Sequence, residues 1–156
     1  MVSRDVKMCT PALQRKIIIF RNQCASAGIY FLIICTARYE LDQIALYAQG
    51  RKTLDEVNDL RKVAGMPPIS EAENKRPVTW TLDSKHVIGS KRPLSEAFDI
   101  VLTDHGKVHW DVSADVNANN IPDYIEAAKI AIGCGLRAGA FFSKKDYCHF
   151  EDVNHP

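Results

Sequence analysis

The sequence predicts an α+β fold: a small antiparallel sheet packed with helices. Two observations carry that prediction. Apolar residues recur at helical spacing through the first half of the chain, whereas the second half holds short apolar runs broken by Gly, Asp and Asn. The chain has 156 residues, of which 46% are hydrophobic and 25% charged. That is enough for one domain, residues 1–156, with its own core.

The elements follow in order. Thr10-Pro11 reads as an N-cap followed by proline at the first helical position, opening a helix to about Ala27 that Gly28 stops. Ile29–Cys35 is a β-branched and aromatic run, a buried strand. In Glu40–Gln49, Leu41, Ile44, Ala45 and Ala48 share a helical face, and Gly50 ends the helix. Thr53 and Glu56 are spaced as a capping box for a helix to about Ala64. Gly65–Pro77 reads as a long loop of the kind that forms a rim or lid. Val78–Leu82 reads as a strand, and Ala97–Leu102, the Asp104-His105-Gly106 turn and Lys107–Asp111 as a hairpin. Asn120 and Pro122 open a helix to about Cys134, ended by Gly133 and Gly135. Strands near Arg137–Phe142 and Tyr147–Glu151 close the chain.

Charge and cysteine usage exclude several classes of function. Twenty basic residues balance nineteen acidic ones, so no overall charge favours nucleic acid or an anionic membrane. The longest apolar run, Ile29–Cys35, falls far short of the roughly 20 residues that span a bilayer. The N-terminus lacks the layout of a secretory signal, which predicts a protein made and folded in the cytoplasm. Five cysteines without a C-x-x-C pair argue against a disulfide framework or a thiolate zinc site, and buried inert thiols are expected.

The chemistry concentrates in three segments: Ser84–Gly89 leading to Ala97-Phe98-Asp99, Asp146–Glu151, and Thr36-Ala37-Arg38 leading to Gln43 and Leu46–Arg51. His86, Asp99 and His149 supply two imidazoles and a carboxylate. Catalytic zinc sites use such a set of three N/O ligands and leave a fourth position for water. Zinc brings the pKa of that water towards about 7. A second carboxylate must then accept the water's proton and pass it to the leaving amine, and Asp146 is the candidate. Strand residues three apart point to opposite faces, so Asp146 joins His149 only if the backbone bends near Asp146-Tyr147; Cys148 then points away. His105, His109 and His155 lack a motif and read as packed or surface residues. Trp80 and Trp110 are candidates for a groove wall, with core packing expected for at least one.

These segments resemble the zinc D,D-/L,D-peptidases of the Hedgehog/DD-peptidase fold, especially phage endolysins of the L-alanyl-D-glutamate peptidase type. Ser84, His86, Gly89, Ala97 and Asp99 match that family's S-x-H-x-x-G-x-A-x-D. Asp146, His149, Phe150 and Glu151 match its D-x-x-H-F-E, and Gln43–Arg51 resembles its glutamine-containing helix. The chain departs from the pattern at Ser90 to Ser95, an apparent insertion that sets His86 and Asp99 thirteen residues apart. It departs again at Arg137–Phe142, where the family has a tryptophan- and glycine-rich strand. The resemblance implies one Zn²⁺ held by His86, Asp99 and His149, with Asp146 as base. It implies a substrate or oxyanion role for Arg38, and substrate or supporting contacts from Ser84, Gln43 and Glu151. It implies a peptidoglycan stem peptide as substrate for a monomer acting in host lysis. A D,D- or L,D-carboxypeptidase and a non-enzymatic zinc-stabilised binding module are the alternatives.

Overall fold

The computed structural model describes residues 2–153; His155 lies outside them. Helix α1 (Pro11–Ser26) starts as its sequence dictates: Thr10 Oγ1 accepts the Leu13 N–H at 3.2 Å, and proline occupies the first helical position. Leu13, Ile17, Phe20 and Cys24 form its buried stripe. There follow β1 (Tyr30–Cys35), β2 (Arg38–Tyr39), α2 (Glu40–Ala48), α3 (Leu54–Val63), α4 (Glu71–Asn74), β3 (Val87–Ile88) and β4 (Ala97–Asp104). Then come β5 (Lys107–His109), α5 (Asp123–Gly133), β6 (Leu136–Ala138) and β7 (His149–Asp152).

The main sheet has five strands in the order β1-β4-β7-β6, with β5 also pairing β4, and every pairing in it is antiparallel. Strand β4 is its axis: Ala97–Asp99 pair with β7 and Leu102–Asp104 with β5, while β1 runs along it from Asp99 to Thr103. The α+β architecture expected from the sequence is therefore present.

Alternation along β4 and β7 separates two chemistries. Phe98, Ile100, Leu102 and Phe150 point into the core with Leu13, Ile17 and Phe20 of α1 and Tyr124, Ala127 and Ala131 of α5. Phe150 stacks on Phe98 with ring centroids 5.4 Å apart and meets Phe20 at 5.0 Å. Burying one such ring contributes roughly 1.5–3 kcal/mol. The intervening residues, Asp99, His149 and Glu151, face the other way.

Several boundaries differ from the sequence reading. Val78–Leu82 is not a strand. Side chains satisfy its backbone instead: Gln43 Nε2 donates to the Thr81 carbonyl at 2.6 Å and Arg51 Nη2 to the Thr79 carbonyl at 3.1 Å. Gly65–Pro77 is not an open lid. It contains α4, closed by a Ser70–Glu73 capping box, and Gln49 Nε2 fastens it through the carbonyls of Glu73 (2.9 Å) and Arg76 (3.2 Å). Strand β6 stops at Ala138, because Gly139–Phe141 curls into a 3₁₀ turn, and β7 begins only at His149. The β4–β5 turn has positive φ at both His105 (46°) and Gly106 (80°), the twist that tight hairpins require. Short β2 and β3 form a separate parallel pair, which no periodicity announced. Among the described residues all five cysteines are free, and no helix is long and apolar enough to cross a membrane.

Candidate metal centre

One row of the sheet assembles most of the site. Cys35 of β1 lies opposite Asp99 of β4, and Asp99 lies opposite His149 of β7. Residues directly opposite across antiparallel strands share a face, so the three side chains project together. An irregularity between Ile33 and Cys35 re-aims the end of β1. His86 arrives from the turn before β3. The Arg38 N–H donates to the His86 carbonyl at 2.9 Å, and the His86 N–H donates to Ser84 Oγ at 3.3 Å.

The apparent insertion at Ser90–Ser95 loops out and is pinned back. Arg92 Nη1 donates to the Ser84 carbonyl at 2.9 Å, and the Thr10 N–H donates to the Ser95 carbonyl at 2.9 Å. Despite the thirteen-residue separation, His86 Nε2 and Asp99 Oδ1 meet at 3.0 Å.

Three donor atoms converge. His86 Nε2 lies 3.0 Å from Asp99 Oδ1 and 3.2 Å from His149 Nδ1, which is 3.1 Å from the same carboxylate oxygen. The outer contacts fix the tautomers. His86 Nδ1 sits 3.0 Å from the Thr36 carbonyl, which can only accept, and His149 Nε2 sits 3.3 Å from Glu151 Oε2. Both outer nitrogens therefore carry a hydrogen, so the neutral imidazoles would each turn a lone pair, beside a carboxylate oxygen, to one centre. Such a set repels itself unless a proton or a metal cation lies between. The tetrahedral ligands of a zinc ion stand about 3.3 Å apart, close to the spacing here.

The electrostatics agree. Burial disfavours a charge on His86, but the Asp99 carboxylate outweighs it and lifts the imidazole to about 10. Burial likewise opposes ionisation of Asp99, yet His86 and His149 hold its carboxyl well below the usual range. The pocket demands positive charge. Cys35, His86 and Asp99 also form a group able to hold a metal ion, the Cys35 thiol lying 3.6 Å from His86 Nδ1.

The neighbouring groups orient this set. Arg38 Nη2 donates to Asp99 Oδ2 at 3.0 Å, leaving Oδ1 for the centre, and Arg38 Nη1 donates to Gln43 Oε1 at 3.2 Å. Arg38 Nε is buried without a hydrogen-bond partner among the described residues. Gln43 Nε2 continues the chain of contacts to Thr79 Oγ1 at 3.0 Å, so one buried amide ties Arg38 to the segment carrying Trp80. Glu151, which holds His149, is itself held by Arg137 Nη1 at 2.8 Å.

Asp146 enters by the expected bend: the His149 N–H donates to the Asp146 carbonyl at 3.2 Å in a turn before β7. Its residue reaches solvent at the cleft. Crowding by the cleft walls and the Asp99 charge push its carboxyl above the ordinary carboxylate value. Cys148 points away as expected, its thiol beside Tyr124 and packed against the core. The cleft holds about 940 Å³ and is walled by Trp80, Trp110, Phe142, Arg137 and Lys144. Both tryptophans are exposed in it, so neither joins the core. His105 and His109 face a separate cavity.

Sequence reasoning missed two residues. Cys35 carries no motif, and only the β1–β4 register places it beside the donors. Gly139 carried no motif, yet a Cβ there would lie 2.3 Å from the Asp146 carbonyl oxygen and 3.1 Å from His149 Cβ. Only glycine lets the 3₁₀ turn support both residues.

Sheet, helices and donor cluster together define an α+β protein with a buried donor cluster able to hold a metal ion, at the floor of the cleft. The fold is shared with the L-Ala D-Glu endopeptidase ChiX of Serratia marcescens, whose crystal structure superposes with a TM-score of 0.57. The match covers 98% of this chain and 89% of that one at 15% identity. No protein-family model matches the sequence, and no curated protein matches it.

Proposed function

We propose that the protein is a zinc peptidase that hydrolyses the L-alanyl–D-glutamate bond in peptidoglycan stem peptides and acts in phage-driven host lysis. One observation carries the reading: the convergence of His86 Nε2, Asp99 Oδ1 and His149 Nδ1 within 3.0–3.2 Å of one another. The shared fold with an L-Ala D-Glu endopeptidase supports the choice of bond, and the two sequence motifs support the endolysin setting. In that setting the protein waits in the host cytoplasm and reaches the wall at lysis.

His86, Asp99 and His149 would hold the ion. Zinc in such a set polarises a carbonyl oxygen and brings the pKa of water near neutrality. Asp146 supplies the proton transfers. Its carboxylate takes a proton from the attacking water and returns it to the nitrogen of the departing D-glutamate. A carboxyl pushed above its ordinary pKa suits that exchange, because it holds the proton well enough to deliver it. Arg38 positions Asp99 and keeps a permanent positive charge beside the oxygen that gains negative charge. Arg137 and Lys144 give the cleft cations suited to an acidic peptide.

The test is mass spectrometry of purified peptidoglycan digested by the zinc-loaded protein and by Asp146→Asn. The wild type should create new L-alanine C-termini and D-glutamate N-termini. The variant should keep its zinc and lose about 10²–10⁴ in rate, the usual worth of a general acid–base. Release of D-alanine alone would make the protein a carboxypeptidase. An Asp146→Asn protein that digests at the wild-type rate would remove Asp146 from the chemistry.

A further inference from the structure

The segment between β5 and α5 carries a second pattern, remote from the cleft chemistry. From Asp115 to Glu126 it reads Asp-Val-Asn-Ala-Asn-Asn-Ile-Pro-Asp-Tyr-Ile-Glu. Side-chain oxygens fall at its first, third, fifth, ninth and twelfth positions: Asp115, Asn117, Asn119, Asp123 and Glu126. The seventh, Ile121, offers a carbonyl. This is the donor spacing of a twelve-residue calcium loop, with a bidentate glutamate last. Such loops need a left-handed residue at the sixth position, usually glycine. Asn120 occupies it with φ 65°, and asparagine is among the few other residues that accept that conformation.

The local bonding follows the same plan. The Asp115 carboxylate accepts the N–H groups of Asn119 (3.0 Å) and Asn120 (2.7 Å), curling the loop around it. Glu126 Oε2 accepts from the side-chain amides of Asn117 (2.9 Å) and Asn119 (2.7 Å). Asp123 Oδ2 accepts the Val116 N–H at 3.0 Å, so its carboxylate lies inside the loop.

An independent observation points to a ligand. Asp123 is only 3% exposed, yet among the described residues its Oδ1 has no hydrogen-bond partner, and neither does the buried Asn117 Oδ1. Buried acceptors are rarely left so. Both residues line one cavity, of about 590 Å³. Acceptor oxygens beside a cluster of three carboxylates call for a hard cation, and an all-oxygen set of six suits calcium over magnesium or zinc.

We propose that the Asp115–Glu126 loop is a calcium-binding site. Rotation of the Asn117 and Asn119 amides turns their oxygens inward and frees Glu126 for the ion. Helix α5 starts at Asp123 with no side-chain cap, so calcium would anchor that start.

The test uses the zinc-loaded protein, titrated with calcium chloride by calorimetry and by thermal unfolding, with magnesium chloride in parallel. One calcium per chain should bind and raise the unfolding midpoint, with magnesium much weaker. Glu126→Gln and Asp115→Asn should each weaken calcium at least tenfold. Asp104→Asn, on the same cavity but outside the loop, should not. His109 Nδ1, also unpartnered, faces that cavity. A second zinc lost in His109→Ala, with no calcium response, would therefore overturn the proposal. So would an unmoved midpoint at about 10 mM calcium, beyond the affinity range of even weak extracellular loops. If the loop variants fail to fold, the wild-type titration alone decides.

Discussion

Substituting Gly139 with alanine tests the geometry of the catalytic corner without touching a titratable group. The new Cβ would stand 2.3 Å from the Asp146 carbonyl oxygen, and real Cβ atoms stay beyond about 3.0 Å, so at least 0.7 Å must be found (3.0 less 2.3). The obstructing atom is backbone and cannot rotate away. The same carbonyl belongs to the turn that receives the His149 N–H, and the Asp146 N–H is itself tied to the Gly139 carbonyl at 2.9 Å. Relief therefore moves the proposed base and one proposed ligand together. Overpacking of this kind costs about 1–3 kcal/mol. For a chain of this size that lowers the unfolding midpoint by roughly 2–12 °C. A shift near 1 Å at a reacting group costs on the order of 10² in rate. Thermal unfolding and kcat/KM on a stem-peptide substrate, both with zinc present, measure the two effects. Gly133→Ala is the control, since its Cβ would meet nothing within 4 Å. A Gly139→Ala protein with wild-type midpoint and kinetics would refute the reasoning.

Two further predictions concern charge and core. His86, lifted to about 10 by Asp99, carries a proton at pH 7.5 without metal, whereas a ligating imidazole must be neutral. Zinc binding at pH 7.5 should therefore release at least one proton, and affinity should rise as pH climbs towards the His86 value. Calorimetry in buffers of different ionisation enthalpy measures both. Phe150→Ala should destabilise by about 3–5 kcal/mol, read by denaturant unfolding, because the ring is fully buried between Phe20 and Phe98.

The parts legible in sequence are those where local chemistry and fold agree. Thr10-Pro11 set the start of α1, and strand alternation about His149 turned Cys148 away from the site, towards the core. The bend at Asp146-Tyr147 followed from requiring Asp146 and His149 to share a site. Val78–Leu82 departs from a strand, although its β-branched and aromatic residues have strand character, because its backbone bonds go to Gln43 and Arg51 from distant elements. Cys35 and Gly139 were illegible for a related reason. One owes its place to the register of β1 on β4, the other to a steric contact seven residues downstream, and neither leaves a periodic trace.

The central claim is a single metal ion at His86, Asp99 and His149 on which hydrolysis depends. Metal content and peptidoglycan hydrolysis should be followed on one sample through chelation and zinc add-back, beside His149→Ala. The account predicts one zinc per chain at this site, with activity lost on its removal and restored by its return, and neither zinc nor activity in the variant. Undiminished hydrolysis by the fully metal-free protein would contradict it.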